Sequence, residues 1–440
     1  MPKIERLSAR EILDSRGRPT ISATCALEGG VSGSASVPSG ASTGRAEARE
    51  LRDGDPRRYR GRGCRKAVQS INRDLNAALA GVELPDAVAG AQAQIDEAMI
   101  ALDGTADKSR LGANAILAVS LAYARAHALA RPMPLYRYFA ALVERKPDSL
   151  PRLTINLFSG GKHGGGQVPI QDVLLIPLAA QTIDASLAAT YEVYQTAAEL
   201  ILRRYGMRLL TADEGGLAPP CRTAEKMITL AVESIEAAGF TPRKDFALGL
   251  DVASSHFYVD GRYQLGEDSL GSLAMIERLN AFVRQFPIIS VEDGLAEDDW
   301  QHWPALNKAL DDRALVVGDD LLCTNPQRIQ RAIDTGACDA LLLKVNQVGT
   351  LTEAARALKM AKAAGWTIVV SVRSGETEDD WAADLAVGWG ADQFKNGSIT
   401  QSERLAKYNR LLLIEEQTTW PLRRTAFAHR DVSGQLERHE

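Results

Sequence analysis

The chain has 440 residues, 45% hydrophobic and 24% charged, enough to bury at least one large core and to fold as two domains. The formal net charge of -5 is small and spread out, which argues against a nucleic-acid surface, and no apolar run reaches transmembrane length. The N-terminal Met-Pro-Lys-Ile-Glu-Arg lacks the apolar segment of a signal peptide, so a cytoplasmic location is expected. Five cysteines (Cys25, Cys64, Cys221, Cys323, Cys338), far apart and without a Cys-x-x-Cys pair, read as reduced packing residues rather than a disulfide frame or a zinc site.

From Ile4 to about Ala35 the residues alternate in polarity, with a Gly29-Gly30 turn, predicting an antiparallel meander. The Gly/Ser/Thr-rich stretch Val37 to Gly44 has too little side chain to pack by itself, and is expected to be a mobile lid within loop 36–45. Residues from about 59 to 140 carry helical apolar spacing, as in Leu111 to Leu121. This first block, residues 1–138, reads as an α+β cap, with Pro132 and Pro134 near the junction.

Beyond Leu150 strand-like runs alternate with helical patterns. The runs are Asp172 to Ile176, Phe246 to Leu250, Pro287 to Val291, Ala314 to Val317, Ala340 to Leu343 and Thr367 to Val370. Strand, helix, strand at this period predicts an α/β barrel of the βα type over residues 139–430, followed by a frayed tail at 431–440.

Successive runs end in charged residues: Asp251, Glu292, Asp319, Lys344 and Arg373. The steps between them are 41, 27, 25 and 29 residues, each about one βα unit when roughly 250 residues make eight. Five strands therefore aim charge at one rim. Three carboxylates on adjacent strand ends form a hard-oxygen site suited to Mg2+, and a cation relieves their mutual repulsion. Lys344, at the end of a strand buried on both faces, is expected to be desolvated enough to lose its proton near neutral pH and act as a base. Arg373-Ser374-Gly375 offers a guanidinium, a hydroxyl and flexible backbone for a phosphate, and Lys395 adds a cation. The Asp213-Glu214-Gly215-Gly216 turn can supply a general acid opposite the base. His163, in Gly160 to Gly166, stands in a glycine loop with no helix or strand to pack in. Together these groups suit proton removal beside a carboxylate, an enediolate held by metal ions, and departure of a group from the next carbon.

With these residues in view the sequence resembles the enolase family over nearly its whole length. The likeness rests on Glu11 to Gly17, Ser39 to Gly44, Leu51 to Asp55, Lys108 to Leu117, Asp213 to Gly216, Leu342 to Gln347, Arg373 to Asp379 and Ser402 to Asn409. It implies an α+β cap on an enolase-type βα barrel, two Mg2+ per site, and assembly as a homodimer or larger homo-oligomer. It also implies that Asp251, Glu292 and Asp319 bind the first Mg2+ and that Ser42 helps bind the second and the substrate. By the same likeness Lys344 takes the C2 proton of a 2-phosphoglycerate-type acid and Glu214 assists loss of the C3 hydroxyl. Arg373 and Ser374 hold the phosphate, Lys395 faces the carboxylate, Gln171 and Asp172 support the acid, and His163 lies near the substrate.

Some positions depart from the family pattern. The histidine of Ser-His-Arg-Ser-Gly-Glu-Thr is Val372, and the Gln-Glu pair is Gln171-Asp172, one methylene shorter. Asn-Gly-Gly is Ser159-Gly160-Gly161, Glu-Asp-Pro-Phe is Glu292-Asp293-Gly294-Leu295, and Lys-Thr-Gly-Ala-Pro is Lys395-Asn396-Gly397-Ser398-Ile399. Metal ligands, base and anion grip are retained while groups around the leaving hydroxyl differ. The chain is therefore expected to work on a small phosphorylated or phosphonylated carboxylic acid, either as a phosphopyruvate hydratase or as a specialised relative of the carboxyphosphonoenolpyruvate synthase kind. A non-catalytic binding or structural protein is the alternative of another class.

Overall fold

A computed structural model describes residues 3–41, 43–206, 210–311 and 313–424, so the expectations placed on Ser42 and on the tail 431–440 lie outside the described residues. The first strands are β1 (Ile4–Leu13), β2 (Pro19–Leu27) and β3 (Ser32–Ser36), an antiparallel meander in that order. The helix Ala113–Ala130 is buried along most of its length and packs on this sheet. Contact is so close that a Cβ on Gly33 of β3 would lie 2.2 Å from the Ala126 nitrogen, and this position needs glycine. The helix Leu135–Leu142 runs across the expected 138/139 junction, and Tyr136 N–H donates to Asp384 Oδ1 of the barrel helix Trp381–Gly388 at 3.0 Å.

The barrel strands are β4 (Arg152–Ser159), β5 (Asp172–Pro177) and β6 (Phe246–Asp251), followed by a small meander of β7 (Tyr258–Val259), β8 (Arg262–Leu265) and β9 (Asp268–Leu270). The barrel continues with β10 (Ile288–Glu292), β11 (Leu315–Gly318), β12 (Ala340–Leu343), β13 (Thr367–Ser371) and β14 (Gln393–Lys395). Eight strands close in the order β10-β11-β12-β13-β14-β4-β5-β6. All neighbours are parallel except β4/β5 and β5/β6, because β5 runs the other way. This reversal was not among the strand readings, and it has a functional result. Asp172, at the start of β5, pairs with Asp251, at the end of β6, so both lie at one rim. Two strands, β4 and β14, fell outside the apolar runs: β4 carries Thr154, Asn156 and Ser159, and β14 has only three residues.

Side-chain alternation decides which residues face the lumen. Leu315 and Val317 of β11, Ala340 and Leu342 of β12 and Val369 of β13 form an inner cluster separate from the main core, whereas Val316, Leu341, Leu343, Ile368 and Val370 join the core beneath the helices. Two residues past Val317 and Leu342, the same parity turns Asp319 and Lys344 into the barrel mouth. On β10 a register irregularity between Ile288 and Ser290 resets the alternation, and Ser290 faces Gly249 of β6. Glu292, two residues on, then points inward beside Asp251.

The cap is fastened to the helix that follows β12. Thr350 N-caps the helix Leu351–Ala363, its Oγ1 accepting Glu353 N–H at 3.1 Å and donating to Glu353 Oε2 at 2.6 Å. From the cap, Ser120 Oγ accepts Leu351 N–H (3.2 Å) and Asp96 Oδ2 accepts Thr352 N–H (2.9 Å). Lys108 Nζ donates to Glu353 Oε1 at 2.8 Å. All five cysteines are buried and unpaired, and among the described residues no helix is long and apolar enough to cross a membrane.

Candidate active site

Asp251, Glu292 and Asp319 lie on the adjacent ends of β6, β10 and β11, only 3%, 4% and 7% exposed. Lys395 places its ammonium between the first two, 2.8 Å from Asp251 Oδ2 and 2.7 Å from Glu292 Oε2. Lys344 Nζ lies 2.5 Å from Asp319 Oδ2. Gln171 Nε2–H donates to Asp251 Oδ2 at 3.0 Å, and Gln347 Nε2–H to Asp319 Oδ1 at 2.9 Å. Burial opposes charge on Asp251, but Lys395 outweighs it and holds the carboxyl at about 2. Burial and the neighbouring Asp251 push Glu292 well above the usual carboxylate range.

The expectation that burial would lower the Lys344 pKa is corrected by this geometry. Burial does act in that direction, but the Asp319 carboxylate outweighs it and raises the ammonium. As arranged here the Asp319 carboxylate holds Lys344 in its ammonium form.

The donor set fits Mg2+. Asp251, Glu292 and Asp319 are buried carboxylates facing the two ammoniums of Lys344 and Lys395, with buried Asp293 and Asp320 directly after two of them, and hard oxygens are what this ion takes. The tightest grouping among the described residues is instead Asp293, Asp319 and Asp320, with oxygens within 4.8 Å of one another. Asp293 is already occupied: Oδ1 accepts Asp319 N–H at 3.0 Å and Oδ2 accepts Asp320 N–H at 2.7 Å, which clamps the backbone after β11. Asp251 and Glu292 are held instead by the Lys395 ammonium, and Asp319 by Lys344 and Gln347.

On the other side of the mouth stand the acid candidates. His163 Nδ1 is 3.0 Å from Asp172 Oδ2, and its Nε2 is 3.7 Å from Glu214 Oε1. Ser159 Oγ–H donates to Asp172 Oδ1 at 2.5 Å, and Asn156 Nδ2–H to Glu214 Oε2 at 3.1 Å. Burial disfavours charge on His163, but Asp172 and Glu214 outweigh it and lift the imidazole to about 9. Glu214 rides on a turn pinned to β4 by Leu217 N–H to Leu157 O at 2.8 Å. Within that turn Gly215 has φ +84°, and a Cβ there would lie 2.4 Å from Thr400 Oγ1. Ser398 N–H donates to the Glu214 carbonyl at 2.9 Å. Of the departing positions, Ser159 and Asp172 thus join this acid cluster through their side chains, and Ser398 only through its backbone N–H. Val372, another departing position, follows β13 and is buried in the core.

The anion grip is crowded with protein groups. Arg373 gives Nη1–H to Glu47 Oε2 (2.9 Å) and to Asn346 Oδ1 (3.1 Å), and Nη2–H to Glu47 Oε1 (3.2 Å). Ser374 Oγ accepts from Arg16 Nη1 at 3.0 Å and from Ala41 N–H at 2.8 Å. Buried Arg404 supports this segment by donating to the carbonyls of Arg373 and Ser374 at 2.8 and 2.7 Å.

Glu47, Arg16, Asn346, Gln347, Asn156 and Arg404 are site residues for which sequence reasoning set out no role. A signal existed for two of them, since Asn346 and Gln347 directly follow Lys344 at a strand end. The others lie far away in the chain and meet the site only through folding.

A buried lysine facing carboxylates across the mouth of a βα barrel, with an acid cluster opposite, defines the class: an enolase-superfamily enzyme of the lyase type. Family models agree, with one described as Enolase, N-terminal domain matching residues 4–139 and one described as Enolase, C-terminal TIM barrel domain matching residues 147–429. The chain belongs to the enolase family.

Proposed function

We propose that the protein is a Mg2+-dependent lyase that forms the enediolate of a phosphorylated three-carbon acid of the 2-phosphoglycerate/phosphoenolpyruvate type. The observation carrying this reading is the convergence of Lys344 with Asp251, Glu292 and Asp319 at one buried rim. Mg2+ held by those carboxylates would supply Lewis-acid stabilisation of enediolate charge and draw on the Asp319 charge that keeps Lys344 protonated. Lys344 then takes the proton at C2, Arg373 and Ser374 hold the phosphate, and Lys395 faces the substrate carboxylate. Glu214, supported by Asn156, assists departure of the group at C3, and His163, clamped by Asp172 and Glu214, can carry the proton to it.

A specialised reaction on a related phosphorylated or phosphonylated acid is the second reading, and a specific observation favours it. Ser159 and Asp172 depart from the family pattern and bond to each other within the acid cluster, while Lys344, Asp251, Glu292 and Asp319 are as the family pattern has them. Incubation with Mg2+ and 2-phosphoglycerate in D2O, following C2 exchange and phosphoenolpyruvate formation separately, tests both readings. Exchange with rapid dehydration supports the hydratase. Exchange without dehydration supports the specialised reaction, and no exchange with any related acid leaves only a binding protein.

A further inference from the structure

The loop 36–45 meets the barrel at three consecutive residues. On its N-terminal arm Ser39 and Gly375 exchange backbone hydrogen bonds of 2.8 and 3.0 Å, and Ala41 N–H donates to Ser374 Oγ. On its C-terminal arm Glu47 uses both carboxylate oxygens on Arg373, a pair buried to 9% and 2% side-chain exposure. Glu47 Oε1 also accepts Gly44 N–H at 3.0 Å, closing the end of the loop. One residue on, Ala48 N–H donates 2.8 Å to the carbonyl of Gln347, whose side chain holds Asp319. The arm therefore reaches the guanidinium and, through Gln347, a metal-site carboxylate.

A cap for the loop end needs only one carboxylate oxygen. Two parallel charge-assisted bonds do more, since they set the plane of the guanidinium as well as its place. Asn346 takes a second proton of Nη1, so rotation of that group is restrained from both sides. Ser374 Oγ is similarly prepared: it accepts twice, and among the described residues its own hydroxyl proton has no acceptor.

We propose that Glu47 is a positioning residue that ties the C-terminal arm of the loop to Arg373, so that seating the loop and aiming the guanidinium at an anion are one event. The proposal rests on the reading of Arg373 and Ser374 as an anion grip. Glu47 touches neither substrate nor reacting atoms in this scheme and acts through Arg373.

The test uses the full chain with Mg2+ and inorganic phosphate as probe, so that no turnover is required. Calorimetry should show phosphate binding at least tenfold weaker for Glu47→Gln than for the unaltered chain. Hydrogen exchange should show that phosphate protects amides 36–48 in the unaltered chain and fails to do so in the variant. With a turned-over substrate, KM should rise about tenfold while kcat changes little. Should Glu47→Gln not fold, Glu47→Asp keeps the charge but shortens the reach, and the same weakening is expected. Unchanged or tighter phosphate binding would falsify the proposal, as would absence of phosphate binding to the unaltered chain. Lost protection at unchanged affinity also overturns it, by reducing Glu47 to a loop cap. If the unaltered chain neither exchanges nor dehydrates 2-phosphoglycerate, yet the phosphate results come out as expected, the proposed reaction fails and the role of Glu47 stands.

Discussion

The two sides of the barrel mouth are built differently. Lys344, Asp319 and Gln347 sit on or directly after β11 and β12, strands buried on both faces, and the helix that follows is capped from the N-terminal domain by Asp96 and Ser120. His163, expected in a glycine loop, stands instead on the single helical turn Gly161–Gly164, whereas Asp172 is the first residue of the reversed strand β5 and Glu214 lies on a separate turn. Strand ends inherit their geometry from the barrel, so little can change there without disturbing the fold. Loop-borne groups hold one another, and a substitution can be answered by a neighbour. Asp172 is one methylene shorter than the family's glutamate, and the Ser159 hydroxyl, itself a departure, bonds to it. On the proposed reading the strand-end side keeps Lys344, Asp251, Glu292 and Asp319, while the acid side differs from the family pattern at Ser159 and Asp172.

The comparison can be broken most decisively at the base. Lys344→Ala should lower C2 proton exchange about 100- to 10,000-fold, the range of a lost general base. Exchange that survives in the variant would move the base elsewhere in the mouth.

On the acid side, Val372→His should raise dehydration of 2-phosphoglycerate by about tenfold or more if one missing transition-state partner limits that step. Exchange at C2 should stay within about twofold. An unchanged dehydration rate would show that Ser159, Asp172 and Ser398 act together and that the imidazole alone restores nothing.

The pH dependence separates the sides further. With the His163 imidazole lifted from 6.5 to about 9, dehydration that draws its proton from this group should hold to alkaline pH and fall as pH rises through about 9. Asp172→Asn removes one of the two supporting charges and should move that fall to lower pH. The same shift bears on stability: a folded pKa above the unfolded value gives stabilisation that is complete below pH 6.5 and is lost as pH rises through about 9. Denaturant titrations of the unaltered chain and of His163→Gln, which cannot titrate, should therefore differ in slope with pH inside that window.

A smaller effect is expected at the cap. Asp96→Ala leaves the N–H and hydroxyl of Thr352 without their buried acceptor, a cost of roughly 1–3 kcal/mol. Thermal unfolding should report the loss, while C2 exchange per folded molecule should remain. A large fall in exchange would mean that capping of the helix after β12 also places Lys344.

Much of this protein was legible before folding. Alternation over residues 4–35, the apolar runs between 246 and 370, and their charged ends follow from side-chain periodicity, which is local. The rim residues Asp251, Glu292, Asp319 and Lys344 could be named because each directly follows such a run. Tertiary structure alone decided the rest. It reversed β5, which brings Asp172 level with Asp251, and it set Lys344 against Asp319, which raises a pKa that burial by itself would lower. It also brought Glu47 to Arg373, 326 positions away in the chain. Periodicity reports which face of a strand is buried, but it holds no information on strand direction or on which charge stands opposite another. Those depend on how distant segments close into one barrel, and there the electrostatics of the site are set.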